Sequence, residues 1–403
     1  MDCKSDLQLM PMIVPRNLAG PLRELASAMP VVAVTGPRQS GKTTLCRSAF
    51  PALRYVTLEP LDVRDYAIED PRGFLKEHRD GVILDEIQRA PGLLSYLQEE
   101  VDERPDPGRF ILTGSQHFQL PEAISQSLAG RIAMLHLLPP SLDELERFGP
   151  LPDDLWTVVW TGSYPRIHDR GLDPAQWLAD YTATYVQRDV RQVLRVANLD
   201  AFTTFLRLMA GRTAAELNLS SLGGDAGVTH NTARAWLSVL EASFLCLRLP
   251  AWRQSLRKQA VKAPKIHFLD SGLVCHLLGI TVPEQLRRHP LRGAIFESWA
   301  VAEVCKSRMH RRLTPRLFHF RDAKGFEVDL LVEDGQRLAA VEVKSAATVA
   351  ADFFHSLRRF RSVAGEGASA HEIAARLVYG GDAPQRRSDV DVIPWRDVQR
   401  WDW

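Results

Sequence analysis

The sequence predicts an α/β fold: a parallel-sheet domain of the P-loop type, then a mainly helical region, then a second α/β domain. Between Val31 and Leu138, short apolar runs alternate with polar stretches of helical character, as they do when helices connect parallel strands. A glycine-rich phosphate-binding motif follows the first apolar run directly. In the last third of the chain, two strand-like runs flank an Asp-Gly pair, which indicates a β-hairpin.

The chain has 403 residues, which is long enough for two or three domains. Pro139 and Pro140, followed by the stretch from Gly149 to Pro152, interrupt the alternation and mark a boundary. We therefore expect an N-terminal extension (1–30), a P-loop domain (31–145), a helical region (146–290) and a C-terminal α/β domain (291–403). The helical region shows no strand-like run before Phe244.

Composition and charge exclude several classes of protein. A formal net charge of +1 excludes a uniformly basic nucleic-acid binder, although a local basic face remains compatible with it. No apolar stretch approaches the ~20 residues that a membrane span needs, and no apolar run before Pro11 indicates a secretory signal. Five cysteines without CxxC spacing argue against a disulfide framework or a zinc site. We expect a soluble cytoplasmic protein without a membrane partner.

Residues 36–43 match the phosphate-loop pattern G-x-x-x-x-G-K-[ST] without a mismatch, between a strand-like run and a helix-like stretch. The glycines let backbone N–H groups surround a phosphate at a helix N-terminus. Lys42 is expected to reach the β- and γ-phosphates of ATP, and the Thr43 hydroxyl to hold Mg²⁺. The expected nucleotide contacts are Gly36, Pro37, Arg38, Gln39, Ser40, Gly41, Lys42, Thr43 and Thr44.

A second strand-like run, which begins at Val82, ends in two carboxylates, Asp85 and Glu86. Downstream of a phosphate loop, Asp85 is expected to complete the Mg²⁺ shell. Glu86 is expected to orient and deprotonate the attacking water. The acidic pair therefore favours hydrolysis over nucleotide binding alone.

A third strand-like run, from Phe110 to Ser115, ends in small hydroxylated residues. Thr113 or Ser115 is a candidate sensor of the γ-phosphate, and an ordinary turn is the alternative. Arg131 is a candidate arginine finger for a neighbouring subunit. An ordinary solvated or ion-paired arginine is the interpretation that we favour at this position.

The C-terminal hairpin is predicted to turn at Asp334-Gly335, which places Leu330 opposite Ala339 and Val328 opposite Val341. One face is then apolar, and the other crowds acidic side chains and a lysine together. The crowded residues are Glu327, Asp329, Glu342 and Lys344, with Leu331 and Leu338 as apolar exceptions on that face.

Like charges at this distance need a cation or a lysine between them. A divalent metal held by Asp329, Glu342 and the Val343 carbonyl, with Glu297 completing the site, would provide it. Lys344 would then assist phosphodiester hydrolysis by a metal-bound water. The alternative is an amphipathic hairpin whose charged face lies in water, with a Glu–Lys cross-strand pair.

Two basic stretches without acids suggest a surface that faces phosphates. One lies between residues 304 and 321 and the other between 242 and 269. The first contains Lys306, Arg308, Arg311, Arg312, Arg316 and Arg321, and the second contains Arg248, Arg253, Arg257, Lys258, Lys262 and Lys265.

A helix from about His230 to Glu241, with Thr229 as its N-cap, suggests a helix-turn-helix or winged helix. His230, Asn231 and Arg234 would face outward. Because that face carries a single arginine, a role in packing is favoured over DNA contact.

Several of these motifs together resemble a prokaryotic AAA-type ATPase family whose members join an N-terminal AAA domain to a C-terminal domain of unknown function. The motifs are the phosphate loop, the strand endings at residues 83–86 and 111–115, and the segments 162–165, 265–273 and 342–344. The resemblance implies a P-loop ATPase core, a winged-helix-like middle region and a C-terminal core like that of restriction endonucleases. It maps the nuclease-type residues onto Glu297, Asp329, Glu342 and Lys344.

Two hypotheses about function follow. In the first, a Mg²⁺-dependent ATPase acts on DNA through a nuclease-like C-terminal domain. In the second, the ATPase is a regulatory switch whose C-terminal domain only docks a protein or a nucleic acid. Both require ATP and Mg²⁺, and the resemblance to AAA-type ATPases makes a homo-oligomer plausible.

Overall fold

The computed structural model describes residues 13–115, 128–185, 198–252, 263–365 and 372–403. Its N-terminal part is a five-stranded sheet in which every paired strand is parallel, in the order β2-β3-β4-β1-β5. The strands are β1 (Val31–Gly36), β2 (Arg54–Thr57), β3 (Val82–Asp85), β4 (Phe110–Ser115) and β5 (Ile132–His136). The parallel sheet that the sequence predicts for residues 31–145 is confirmed.

Within residues 13–115, the structure describes five helices. They are α1 (Ala19–Ala26), α2 (Lys42–Ala49), α3 (Leu61–Glu69), α4 (Pro71–Glu77) and α5 (Leu93–Glu103), with a 3₁₀ turn at Ile87–Arg89. Strand β1 is buried along its whole length because both faces of the sheet are covered. Val31 and Ala33 belong to one hydrophobic cluster, and Val32 and Val34 belong to another. A strand that is covered on both sides needs a continuous apolar run, which is what β1 has.

Residues 13–30 do not form a separate extension, contrary to the predicted boundary. Leu18, Leu22 and Leu25, on or beside α1, pack in the same cluster as alternate residues of β1. This segment therefore belongs to the core of the P-loop domain.

The middle region is mainly helical, as predicted. A short helix, α6 (Leu142–Leu145), comes just before this region. The helices in its described residues are α7 (Leu155–Thr161), α8 (Pro165–Arg170), α9 (Pro174–Tyr185), α10 (Leu199–Ala210), α11 (Leu219–Asp225), α12 (His230–Ala242), α13 (Ser271–Leu277) and α14 (Pro283–Arg288). An antiparallel sheet runs in the order β6-β8-β7, with β6 at Ala215–Glu216, β7 at Cys246–Leu249 and β8 at Lys265–Phe268. The side chain of Thr229 accepts a hydrogen bond from the Thr232 N–H, so the predicted N-cap of α12 is confirmed.

The C-terminal part contains α15 (Arg292–His310), α16 (His355–Gly365) and a mixed six-stranded sheet in the order β13-β14-β12-β11-β10-β9. Its strands are β9 (Leu317–Arg321), β10 (Glu327–Asp334), β11 (Arg337–Lys344), β12 (Glu372–Tyr379), β13 (Gln385–Arg386) and β14 (Asp391–Pro394). Two 3₁₀ turns, Ala351–Phe354 and Trp395–Arg400, complete this part. Strands β11 and β12 are parallel, and β9, β10 and β11 pair antiparallel.

The predicted register of the β10–β11 hairpin is wrong by two residues. Leu330 pairs with Val341, not with Ala339, because the turn consists of Gly335 and Gln336. Gly335 has a φ of +59°, which suits the first position of a two-residue hairpin turn. The predicted alternation along β10 is also wrong, because a β-bulge lies between Val328 and Leu331. Val328 packs in the same cluster as Leu331, whereas Leu330 packs in the other cluster.

The hairpin is buried on both faces, and the interpretation of one face exposed to water is therefore wrong. Leu330 and Val341 belong to the cluster that contains residues of α15, whereas Leu331 and Leu338 belong to the cluster that contains residues of α16. The two apolar exceptions on the predicted charged face are thus core residues of a central hairpin.

The predicted boundary at residues 290 and 291 falls within one continuous hydrophobic core. That core includes Phe205 and Trp236 from the middle region and Phe296, Val341 and Trp395 from the C-terminal part. The two regions therefore fold around shared packing, and helix α15 contributes to it along most of its length.

No helix in the described ranges is long and apolar enough to cross a membrane. Four cysteines in those ranges, Cys46, Cys246, Cys275 and Cys305, are buried free thiols. Cys3 lies outside them.

Candidate functional sites

The phosphate loop connects β1 to α2, and two glycines permit its shape. A Cβ on Gly36 would lie 2.2 Å from the Leu137 carbonyl oxygen, so only glycine fits where the loop begins. Gly41, directly before α2, has a φ of +95°, in the region that favours glycine. Gln39 adopts a φ of +61° between them. The loop thus turns sharply and presents the N-terminus of α2 at the carboxyl edge of the sheet.

Lys42 lies at the first position of α2 and folds back over the loop. Its amine donates hydrogen bonds to the Gly36 carbonyl at 3.1 Å and to the Pro37 carbonyl at 2.8 Å. Burial lowers the pKa of Lys42 to about 8, although the carboxylates of Glu86 and Asp85 act in the opposite direction. The positive charge is therefore held inside the phosphate loop with acidic groups nearby.

Asp85 ends β3 and accepts hydrogen bonds from three hydroxyl groups. Thr43 Oγ1 lies 3.1 Å from Asp85 Oδ2, and Tyr55 Oη lies 2.7 Å from the same oxygen. Thr113 Oγ1 donates to Asp85 Oδ1. The structure thus brings the phosphate loop and the carboxyl ends of β3 and β4 together around the carboxylate of Asp85.

Tyr55 is a residue of this site that the sequence interpretation missed. Burial and the hydrogen bond to Asp85 raise the pKa of Tyr55 to about 12, so the phenol is a donor throughout the physiological range. A signal was available, because Tyr55 lies in the strand before β3. Residues near the carboxyl ends of neighbouring parallel strands meet at one edge of the sheet.

Glu86 follows Asp85 with a φ of +60°, an uncommon conformation for a residue other than glycine. Its carboxylate accepts a hydrogen bond from Gln88 Nε2. Asp85 and Glu86 are thus held by different partners, and the site has two separately held carboxylates.

The remaining predicted nucleotide residues differ in position. Ser115 pairs with Gly36 in the β1–β4 register and so lies beside the loop. Arg131 precedes β5 at the opposite, amino-terminal edge of the sheet, where Arg131 Nη2 lies 2.9 Å from Asp102 Oδ2. The structure therefore does not bring Arg131 to the phosphate loop of its own chain, and a role toward a neighbouring subunit stays a prediction.

The donor set at this edge of the sheet fits Mg²⁺. Thr43 and Asp85 offer a hydroxyl and a carboxylate, which are hard oxygen ligands. Magnesium commonly takes only one or two protein ligands together with phosphate oxygens and waters. Two groups in contact at the end of the phosphate loop are therefore sufficient for a metal–nucleotide complex.

A second group of charged residues lines an open cleft of about 560 Å³ in the C-terminal part. It lies where β10 begins and β11 ends, at the opposite end of the hairpin from its turn, and beside the N-terminal ends of α15 and α16. The lining includes the predicted residues Glu297, Asp329, Glu342 and Lys344, and also Lys265, Lys324, Glu327, His355 and Arg359. The four residues that the resemblance singled out are thus brought together.

Lys265 is the residue of this cleft whose role the sequence interpretation missed. Its amine lies 2.8 Å from Glu297 Oε1 and also pairs with Glu327, and its side chain is 4% exposed. Burial alone would lower the pKa of Lys265, but Glu297, Asp329 and Glu327 together raise it. A lysine thus neutralises the acidic cluster from the side of β8.

Glu342 and Asp329 form the other half of the cleft. Lys344 Nζ lies 2.5 Å from Glu342 Oε1 and 3.9 Å from Asp329 Oδ2, and the Val343 N–H donates to Asp329 Oδ2 at 2.8 Å. The second oxygen of Glu342 is buried and has no hydrogen-bond partner among the described residues. Burial and the nearby Asp329 raise the pKa of Glu342 to about 8, and the same two causes raise the pKa of Glu297 to about 8.

In the part of the chain that the structure describes, no three His, Cys, Asp or Glu side chains are grouped so that they could hold a metal ion. Lys265 and Lys344 instead lie between the carboxylates. The arrangement is therefore a lysine-neutralised acidic cluster, and the assignment of Glu297, Asp329 and Glu342 as metal ligands stays a prediction.

The described residues of the two basic stretches are mostly buried or ion-paired, and a phosphate-facing surface there stays a prediction. Lys265, Lys306 and Arg308 are buried. Ion pairs with acids elsewhere in the sequence engage Arg248, Arg311, Arg316 and Arg321. Arg253, Arg257, Lys258 and Lys262 lie outside the described residues. For the described residues, the acids that pair with these arginines lie outside the two stretches, so segregation along the sequence does not persist in the structure.

Three family descriptions match the chain in succession. The family described as "AAA domain" matches residues 28–146, which include the phosphate loop, Asp85 and Glu86. Domains of unknown function follow at residues 152–284 (DUF8612) and 292–398 (DUF4143). The N-terminal part is therefore a P-loop domain of the AAA type.

Several solved structures resemble the chain at low sequence identity. The Walker-type ATPase PABY2304 of Pyrococcus abyssi is 15% identical, covers 67% of this chain and 98% of its own, and has a TM-score of 0.47. The Holliday junction branch migration motor RuvB of Thermotoga maritima is 18% identical and has a TM-score of 0.30. The match covers 59% of this chain and 90% of the RuvB chain. Scores this low do not establish a common overall fold.

Two mycobacterial proteins are more similar. The uncharacterized proteins Mb2031c of Mycobacterium bovis and Rv2008c of Mycobacterium tuberculosis are each 31% identical over 341 residues, which are 83% of this chain and 74% of each relative. The similarity extends well beyond the AAA match of residues 28–146 into the regions that follow it. The chain belongs to the family of these two mycobacterial proteins and joins an AAA domain to two domains of unknown function.

Proposed function

We propose that the chain is a Mg²⁺-dependent ATPase that hydrolyses ATP at the carboxyl edge of its parallel sheet. The observation that carries this proposal is the convergence of Thr43, Tyr55 and Thr113 on Asp85, directly beside a phosphate loop that holds a buried lysine. Nucleotide binding alone would not need Glu86, a second carboxylate held separately by Gln88.

Each residue has a distinct task in this proposal. Lys42 and the N-terminus of α2 bind and orient the phosphates. Thr43 and Asp85 hold Mg²⁺, which when bound neutralises charge on the phosphate oxygens. Glu86 accepts the proton of the attacking water. Thr113, in β4, holds Asp85 in position through a hydrogen bond.

The test is steady-state ATP hydrolysis by the full chain with Mg²⁺, with Lys42→Ala as the inactive comparison. Hydrolysis that requires Mg²⁺ and disappears in the variant is expected. Equal rates for both proteins would refute the proposal.

For the C-terminal cleft we propose a role on DNA, and two observations support phosphodiester hydrolysis there. Two carboxylates with raised pKa values, Glu297 and Glu342, share an open cleft with Asp329 and Lys344, and perturbed groups of this kind concentrate at functional sites. The order α15, β9, β10, β11, α16, β12 around a mixed sheet is compatible with the restriction-endonuclease-like core that the family resemblance implies.

The lysines between the carboxylates favour a second candidate, in which the cleft only docks a protein or a nucleic acid and the ATPase acts as a switch. The two candidates are separated by incubating linear, supercoiled and branched DNA with Mg²⁺ or Mn²⁺. Cleavage that is lost in both Asp329→Ala and Lys344→Ala, but kept in the exposed Asp402→Ala, supports the nuclease. No cleavage, together with an ATPase rate that no DNA changes, supports docking of a protein.

A further inference from the structure

Arg16 lies outside every motif, yet its guanidinium is hydrogen-bonded to the backbone of the phosphate loop. Arg16 Nη1 donates to the Ser40 carbonyl at 2.7 Å, and Arg16 Nη2 donates to the Leu138 carbonyl at 2.8 Å. The side chain is buried, with 6% of its surface exposed. One planar group thus joins the phosphate loop to the segment that follows β5.

The contact with Ser40 bears directly on nucleotide binding. The Ser40 carbonyl and the Gly41 N–H belong to one rigid peptide plane. Fixing the carbonyl therefore fixes the direction of the N–H, which is one of the donors that a phosphate loop offers to an anion. Gly41 has no side chain to restrain this plane and has a φ of +95°, so the restraint comes from Arg16.

Glu144 holds Arg16 in place. Its carboxylate is fully buried, lies 3.0 Å from Arg16 Nη2, and accepts the N–H groups of Asn17 at 2.5 Å and Ser141 at 3.0 Å. His310 Nδ1 lies 3.4 Å from the same carboxylate. Burial alone would raise the pKa of Glu144, but His310 and Arg16 hold that pKa well below its usual range.

The segment around Glu144 is in turn seated on α15. Glu303 accepts a hydrogen bond from the Leu142 N–H at 2.8 Å, and Lys306 donates to the Pro140 carbonyl at 3.1 Å. Both side chains are buried, as is His310 at the end of the same helix. Three polar residues of α15 therefore contact residues 140–144, the segment whose Glu144 binds Arg16. The opposite end of α15 carries Glu297 in the C-terminal cleft.

We propose that Arg16 is a positioning residue for the phosphate loop and that Glu144 and His310 make this positioning depend on the C-terminal region. The inference rests on the proposed function, since it concerns how the same nucleotide site is regulated. Any ligand that shifts α15 would then change nucleotide affinity, and nucleotide binding would act back on α15 with equal coupling.

The test measures the affinity of the full chain for a fluorescent ADP analogue with Mg²⁺, at a temperature at which thermal melting shows every variant to be folded. Arg16→Met is expected to lose roughly 10- to 100-fold in affinity, because the loop donors are no longer aligned. Arg16→Lys should recover part of the loss, since a lysine can still donate to the Ser40 carbonyl. A residue needed only for folding would lower the melting temperature without changing the affinity of the folded protein.

The decisive variants are Glu144→Gln and His310→Leu, neither of which touches the phosphate loop. Both are expected to weaken ADP binding, and Arg16→Met combined with Glu144→Gln should lose no more than Arg16→Met alone. The matched control is Arg311→Ala, directly after the end of α15, because Arg311 is 41% exposed and pairs with Asp402. Wild-type affinity in either decisive variant would overturn the inference.

The binding measurement needs no turnover. A chain that binds ADP in the manner described but does not hydrolyse ATP would therefore fail the proposed function and still support the positioning role of Arg16. Conversely, active hydrolysis with affinities unchanged in Arg16→Met would overturn only the inference.

Discussion

Thr43 Oγ1, at the start of α2, lies 3.1 Å from Asp85 Oδ2, at the end of β3. This contact joins two motifs that are 42 residues apart in the sequence. It is possible because β1 and β3 are parallel and flank β4, so that their carboxyl ends lie at the same edge of the sheet. The hydroxyl and the carboxylate that the account assigns to Mg²⁺ therefore face one another.

Replacing Glu86 by glutamine should separate binding from hydrolysis. Glutamine keeps the shape of the side chain but cannot accept a proton, so the hydrolysis rate should fall by roughly 10²- to 10⁴-fold. Binding of ATP should persist, because Lys42 and Thr43 are unchanged. Parallel measurements of turnover and of nucleotide affinity check this, with the exposed Glu99→Gln as control. An unchanged rate would remove Glu86 from the mechanism.

Tyr55→Phe tests whether Asp85 is positioned from β2. The phenol donates to Asp85 Oδ2 at 2.7 Å, and loss of a hydrogen bond to a carboxylate costs about 1.5–3 kcal/mol. We expect a higher Mg²⁺ concentration for half-maximal hydrolysis, since the carboxylate gains freedom. A Mg²⁺ titration of the ATPase rate measures this, and a curve identical to that of the wild type would contradict the role of Tyr55.

Lys265→Met should strongly destabilise the fold. It would leave Glu297 and Glu327 without their shared, buried lysine, and breaking a buried ion pair from one side costs about 3–5 kcal/mol. Urea denaturation gives the free energy of unfolding. Lys324→Met, at the exposed rim of the same cleft, is the matched control and should change stability little. Comparable losses in both variants would show that the pairing of Lys265 is not what matters.

Glu342→Gln should change how stability depends on pH. Burial and Asp329 raise the pKa of Glu342 from 4.5 to about 8, so between these values the folded chain keeps a proton that the unfolded chain has released. Stability of the wild type therefore falls as pH rises through this window, by up to about 1.4 kcal/mol per pH unit for one such group.

Glutamine is neutral at every pH and escapes this loss. The melting temperature of Glu342→Gln should match that of the wild type near pH 5 and exceed it at pH 8. A difference of the same size at both values would show that the carboxylate does not titrate in this window.

The sequence allowed the phosphate loop to be predicted residue by residue because its chemistry is local. Gly36, Gly41, Lys42 and Thr43 lie within one short segment, and their spacing alone defines the turn and the helix start. The hairpin was predicted only in part. Gly335 can occupy either central position of a two-residue turn, and the structure uses it as the first.

Other features depend on contacts between distant segments. In the sequence, Lys265 is one of several basic residues in a stretch without acids. Only the approach of β8 to α15 and β10 shows that it is buried between carboxylates. Arg16 belonged to a predicted extension, and its role becomes visible only when Ser40, Leu138 and Glu144 meet around it. No periodicity or motif in a single sequence indicates such contacts between distant segments.

Whether ATP is hydrolysed at the edge of the parallel sheet can be decided by a single comparison. Purified full-length chain and its Lys42→Ala variant are compared for phosphate release from ATP, with Mg²⁺ and with the metal chelated. We expect release that needs both Mg²⁺ and Lys42, with a loss of at least about 10²-fold in the variant. Release by the wild type that is no greater than release by the variant would contradict it.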